Sequence, residues 1–119
     1  MGVFLDAKER VAAIERCLKE QLKDSDAHKL DATELHILIA LYDFDGQRVG
    51  DVAHKVGVAA TSFTPLLDKL ERIKMIERKH STLDRRVIHI CLTDSSRNLR
   101  SVILAAWQHC EREFGGVDV

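Results

Sequence analysis

The residues best suited to act on a partner cluster in Leu83-Asp84-Arg85-Arg86. Two adjacent guanidiniums are permanently charged, planar and forked. Those properties suit phosphate oxygens and the narrow, electronegative minor groove of A·T-rich duplexes. The surrounding charge agrees: residues 59–90 hold seven basic and four acidic side chains, a local +3 on a chain of formal net charge −1. Residues 1–58 carry −3. A cationic segment on a mildly acidic body fits a face that meets polyanion. Chance clustering on a solvated surface is the plain alternative.

Other chemistries find no motif. Cys17, Cys91 and Cys110 are odd in number and far apart, which argues against a disulfide framework and against Cys-x-x-Cys metal spacing. They are expected to be reduced thiols, mostly buried. His28, His36, His54, His80, His89 and His109 contain no i, i+4 pair, so no metal site is expected. A Gly-rich phosphate loop, a paired-carboxylate site and a nucleophile motif are all absent, which predicts a non-enzyme without a cofactor. No apolar run approaches the ~20 residues of a membrane span. The opening "MGVFLDAKERV" lacks the basic and apolar regions of a secretory leader. The expectation is a cytoplasmic protein of one domain, residues 1–119, with an aliphatic core.

Helices must position most of these residues. Residues 4–23 predict one, with Ala7, Val11, Ile14 and Leu18 on a thin apolar seam that suits packing against another helix, in this chain or in a second copy. "KDSDAHKLDATE" breaks it. Asp31 with Glu34 three residues on forms a capping box that starts a second helix, carrying Leu35, Leu38, Ile39, Leu41 and Tyr42. "DFDGQ" is turn chemistry. A short helix from Val49 to Val56 stops at Gly57, which adopts a left-handed conformation without a Cβ penalty. A further helix follows over about 60–72, with Leu66, Leu67 and Leu70 as core. Pro65 inside it requires either a later start or a local bend. "MIERKH" and "VIHICLT" alternate as two strands about the charged loop, with Ile88, Ile90 and Leu92 on one face. Thr93 or Asp94 caps a last helix of about 94–114, stopped by Gly115-Gly116; Leu99, Ile103, Ala106 and Cys110 stripe it. The two terminal stripes have little else to cover them, which predicts a second subunit. The fold class is mainly α with a small β-hairpin wing. The helix-turn-helix spans about 49–73, the wing about 75–92, and the terminal helices serve dimerisation.

Over roughly residues 30–100 the chain resembles the MarR family of winged helix-turn-helix transcriptional regulators. "VGDVAHKVGV" is similar to the first helix of the family's helix-turn-helix. "FTPLLDKLERIKMIER" resembles its recognition helix and first wing strand. "LDRRVIHICLT" fits its wing pattern of Asp, any residue and Arg before a strand ending in Leu-Thr. The family's usual Gly before the wing is Lys74 here, and "LTDSSR" lacks the usual acid-Gly. The chain is also short for the family at its terminal helices.

The resemblance implies a homodimer that binds double-stranded DNA at a pseudo-palindrome and responds to a small-molecule effector, with no membrane partner. It implies that Asp84 braces the wing by pairing with Arg86, leaving an arginine for the groove. Thr61, Ser62 and Thr64 are short donors placed to meet bases and phosphates. Lys69 and Arg72 suit phosphates or a merely solvated face. "TPLLDKLE" is closest to the organic-hydroperoxide-sensing branch, which suggests Cys17 as a redox residue. Against that, no basic partner beyond Arg16 and the nearby lysines is evident to lower the thiol pKa, and "DATELH" lacks that branch's tyrosines, so a buried inert thiol is the other reading. A winged-helix protein-interaction module that never reads DNA is the alternative function.

Overall fold

A computed structural model describes residues 6–115. The predicted helix start at residue 4 and the Gly116 stop lie outside that range. Helix α1 runs Ala7–Leu22, with the Asp6 carboxylate accepting the Glu9 N–H at 2.7 Å. Ser25 caps a 3-10 turn, Asp26–Lys29. Helix α2 (Ala32–Asp43) opens on the Asp31–Glu34 capping box. Strand β1 (Gln47–Arg48) leads into α3 (Val49–Val56), and Gly57 ends α3 at φ +77°. Helix α4 (Ala60–Arg72), strands β2 (Ile76–His80) and β3 (Ile88–Leu92), α5 (Asp94–Asn98) and α6 (Arg100–Cys110) follow. A π-helical turn covers Glu111–Gly115.

The wing has one strand more than the predicted hairpin. The sheet order is β1-β3-β2, all antiparallel, with Gln47 opposite Ile90 and Arg78 opposite the same residue from the other side. A two-residue strand leaves no period-2 signature, so β1 was invisible in the sequence. Its anchor is Gln47. The buried side-chain amide donates to the carbonyls of Ala40 (2.9 Å) and Phe44 (2.6 Å) at the end of α2, and its oxygen accepts from Lys55 Nζ at 2.7 Å. The Phe44 carbonyl is one that the helix end leaves open, and the Ala40 carbonyl accepts the Phe44 N–H as well, at 3.2 Å.

The core runs through α2, where Leu35, Ile37, Leu38 and Leu41 are buried. Val52, Phe63, Leu67, Leu70, Ile76 and Ile90 close over them. Of the two partners open to the thin α1 seam, a helix of this chain and one of a second copy, the structure shows the first. Helices α1 and α6 pack on each other within the chain, burying Ala13, Leu18, Leu22, Ile103, Ala106 and Cys110. Much of each stripe is therefore covered internally. Val11 and Val102 remain exposed, at 55% and 41%. The predicted last helix is broken at Leu99, with Thr93 capping the short α5 and Tyr42 Oη donating to the Ser96 carbonyl at 2.6 Å. Burial pushes the Tyr42 pKa up to about 12, so the hydroxyl keeps its donor proton.

The same packing overturns the expectation of three reduced thiols. Cys17 of α1 and Cys110 of α6 form a disulfide, with Cα atoms 5.9 Å apart. The partners are 93 residues apart, so sequence spacing carried no sign of it. Cys91 is a half-buried thiol on β3.

Helix α4 runs through Pro65 and begins at Ala60, which settles the helix start that the sequence left open. The α4–β2 link holds Lys74 at φ +64°, the one positive-φ residue other than glycine among the described residues. A Cβ there meets the neighbouring carbonyl and costs ~1 kcal/mol or more. The conformation is fixed by Met75 N–H donating to Leu70 O (2.8 Å) and by Thr93 Oγ1 donating to Lys74 O (2.6 Å). Lys74→Gly should raise stability by about 1 kcal/mol, read as a higher urea midpoint at unchanged slope. An unchanged or lower midpoint would show that the strain is not there.

Candidate nucleic-acid interface

Helix α4 divides cleanly by face. Phe63, Leu67 and Leu70 are buried, and Leu66 is half-buried. Thr61, Ser62, Thr64, Pro65, Asp68 and Arg72 are exposed. Three short hydroxyl side chains thus line the first turns, and a guanidinium stands at the far end. Pro65, which brings no N–H to the Thr61 carbonyl four residues back, is exposed on the same face.

Lys69 departs from its expected role. Its ammonium bonds Glu34 Oε1 at 2.8 Å and approaches the Lys29 carbonyl at 3.4 Å. Glu34 is 1% exposed, and the same oxygen accepts the Asp31 N–H at 2.9 Å. A buried carboxylate requires a cation or donors at hand. Lys69 therefore points back at α2 and away from the exposed face. The signal that could have found this was the Glu34 of the capping box itself, which lies on the apolar side of α2.

The wing is tied to α4 by a residue that the sequence reading missed. Arg78 of β2 donates to Asp68 Oδ1 at 2.6 Å and to Glu71 Oε1 at 2.7 and 3.0 Å. Those two carboxylates hold its pKa above the ordinary value. Asp68 and Glu71, three residues apart on one helix face, were the available clue. The base of the wing is held by Asp45, whose carboxylate accepts the Leu92 N–H at 2.8 Å and meets Arg97 at 3.3 Å.

At the tip, Asp84 and Arg86 make a two-pronged pair. Arg86 Nη2 donates to Oδ2 at 3.0 Å and Nε to Oδ1 at 3.1 Å, while the Arg86 backbone N–H donates to Oδ1 at 3.0 Å. Those bonds depress the Asp84 pKa, so the brace lasts from neutral pH into acid and opens only as the carboxylate protonates. The Arg86 side chain is still 90% exposed, and Arg85 is exposed beside it. Thr61, Ser62, Thr64 and Arg72 lie on one helix and Arg85 and Arg86 on the wing; the Arg78 clamp joins the two elements. Cys17 is on α1, outside this constellation.

A second feature is lined by no residue of α4 or the wing. A cavity of about 470 Å³ opens between α1, the start of α2, the end of α3 and α6, with Ile14, Ala32, His36, Val58 and Trp107 among its lining. His36 lies against Trp107, ring centroids 5.2 Å apart. Burial lowers the His36 pKa, while Glu111 opposes that shift. Among the described residues no three His, Cys, Asp or Glu side chains group to hold a metal ion, and no helix is long and apolar enough to cross a membrane.

A family model described as MarR family matches residues 30–88. The HTH-type transcriptional repressor MdtR of Bacillus subtilis is 30% identical over 83 residues, covering 70% of this chain and 54% of the relative. The HTH-type transcriptional regulator MhqR of the same organism is 35% identical over 72 residues, 60% of this chain and 50% of the relative. The chain thus spans about half the length of the curated relatives it matches. Among solved structures, reduced AbfR bound to DNA superposes with a TM-score of 0.75 at 19% identity, covering 87% of this chain and 73% of that one. CouR from Rhodococcus jostii RHA1 bound to p-coumaroyl-CoA gives 0.72 at 22% identity, covering 93% and 74%. These likenesses show the winged-helix fold.

Replacing Lys69 separates a structural lysine from a phosphate contact. Lys69→Ala should lower stability by about 1–3 kcal/mol, discounted from the buried-pair range because the lysine side chain is 36% exposed. Adding Glu34→Gln should recover part of that loss in a thermal double-mutant cycle. Additive losses in the cycle would refute the coupling.

Proposed function

The chain belongs to the MarR family, and on that premise we propose that it is a sequence-specific DNA-binding transcriptional regulator acting as a homodimer. The observation that carries the proposal is one continuous presentation. An exposed helix face bearing Thr61, Ser62, Thr64 and Arg72 is clamped through Arg78 to a braced wing bearing Arg85 and Arg86. Helix α4 would enter the major groove, where hydroxyls meet base edges and phosphates. The wing would lie along the adjacent minor groove, with Arg85 the cation not engaged by Asp84.

Pairing of two copies would set two such helices about one helical turn, ~34 Å, apart on a pseudo-palindrome. Val11 and Val102, the large apolar side chains left exposed on α1 and α6, support the terminal helices as that interface. The cavity lies between those helices, the start of α2 and the end of α3, which leads into α4. It is the proposed seat of a small organic effector that changes their spacing and relieves DNA binding.

The Cys17–Cys110 disulfide supports a second reading, in which Cys17 makes the regulator thiol-responsive. The balanced step takes two thiols and one peroxide to a disulfide, an alcohol or water from the peroxide, and one further water. The bridge joins residues 93 apart in sequence, a loop that in the chain-entropy account stabilises by about 4.7 kcal/mol. If the switch operates, DNA affinity should differ with and without a dithiol reductant, and Cys110→Ser should be indifferent to both. Equal affinity for the wild type in the two states would leave the disulfide purely structural.

The principal test is a salt titration of binding to duplex DNA. Log affinity should fall linearly with log salt, and Arg85→Ala with Arg86→Ala should reduce the slope by about one for each phosphate that is no longer neutralised. An absence of binding at low salt would instead favour a protein-interaction module.

A further inference from the structure

We infer that Leu83, at the apex of the wing, is a wedge that enters the minor groove beside the wing arginines and partly unstacks one base step. This rests on the DNA-reading proposal and adds a contact to it, one that senses how readily a step deforms. Leu83 is 96% exposed, essentially as open as in an extended chain. The other large apolar side chains left exposed among the described residues, Val11, Phe44 and Val102, range from 41% to 66%.

The exposure of Leu83 does not come from a slack loop. Ser81 Oγ accepts the N–H of Leu83 at 3.2 Å and of Asp84 at 3.4 Å. Val87 N–H donates to Asp84 O at 3.0 Å, and Ser81 N–H to Val87 O at 2.9 Å. His80 Nδ1 donates to the Arg85 carbonyl at 2.7 Å. With the Asp84–Arg86 brace, these bonds pin the turn on both sides and hold one apolar side chain outward between polar neighbours.

Single exposed leucines are ordinary on protein surfaces. This one stands at the furthest point of the cationic element and is fixed there. Arginines satisfied by phosphates leave the groove floor, with its sugars and stacked bases, to whatever projects between them. Apolar wedges of leucine's kind unstack such steps in minor-groove proteins, most cheaply at TA and CA/TG steps. Leucine gains from leaving water only on that contact, since the fold offers it none.

The test uses the full chain and a duplex selected from a randomised pool by the wild-type protein, with 2-aminopurine placed at successive positions. Wild type should raise the fluorescence at one step in each half-site. Leu83→Ala should abolish that rise, weaken binding roughly tenfold and leave the salt slope unchanged, because no charge is removed. Leu83→Phe should keep the fluorescence rise. Arg85→Ala should do the reverse of Leu83→Ala on the slope. If Leu83→Ala binds with wild-type affinity and fluorescence while Arg85→Ala still flattens the slope, the wedge is wrong and DNA reading stands. Failure of the wild type to bind any pool duplex overturns both.

Discussion

A carboxylate almost sealed from water, Glu34 in the first turn of α2, is the constraint on which the reading elements depend. An unpaired charge in that position would cost several kcal/mol, so the chain must supply partners. It supplies the Asp31 N–H from the cap of the same helix and the Lys69 ammonium from α4. One group thus closes the N-terminus of the core helix and fixes where α4 lies on it. The hydrophobic contacts of Phe63, Leu67 and Leu70 set the α4 face that is buried, but apolar packing is non-directional. The ion pair supplies the register along α2.

The wing repeats that logic in more open surroundings. Arg78 joins β2 to α4, Asp45 joins the α2–β1 turn to β3 and α5, and Asp84 ties the tip to Arg86. Each is exposed enough that its worth in stability is small. Their effect is geometric. A hairpin carrying five-residue strands could swing, and these contacts limit where its tip stands relative to α4. Among the described residues no buried side-chain nitrogen or oxygen lacks a hydrogen-bond partner, so the polar network that does this leaves no orphaned group.

What could be read in advance was local. The Asp31–Glu34 box, the Gly57 stop, the alternation of β3 and the apolar face of α2 each depend on residues within a turn or two, and the structure has them where spacing put them. Lys74 was flagged by the resemblance alone, which has Gly at that place, and its positive φ explains why a glycine suits it. What failed depended on contacts across the chain. Lys69 is on the flank of α4 in any helical projection, and only the position of α2 decides that it turns inward. Arg78 and Gln47 find partners seven to ten residues away along the chain, across a change of element. The Cys17–Cys110 bridge exists because α1 and α6 lie side by side, which no spacing of three cysteines reveals. Pro65 is the instructive intermediate. Its chemistry flagged an irregularity, but its ring stands on the exposed side of α4, and the helix starts five residues before it.

The placement of the cavity acquires meaning from the same turn of α2. Ala32, Thr33 and His36 line the cavity, while Glu34, between them in sequence, faces inward to Lys69. In a close-packed interior a side chain cannot be displaced on one side of a helical turn without moving the other. The cavity's other walls belong to α1, α3 and α6, and the disulfide joins two of those helices. Pressure on the cavity wall therefore has two paths to α4, the Glu34–Lys69 ion pair and the α3–α4 turn, whose Val56, Gly57 and Val58 also line the cavity. Both paths are short, and both end on the helix that carries Thr61, Ser62 and Thr64.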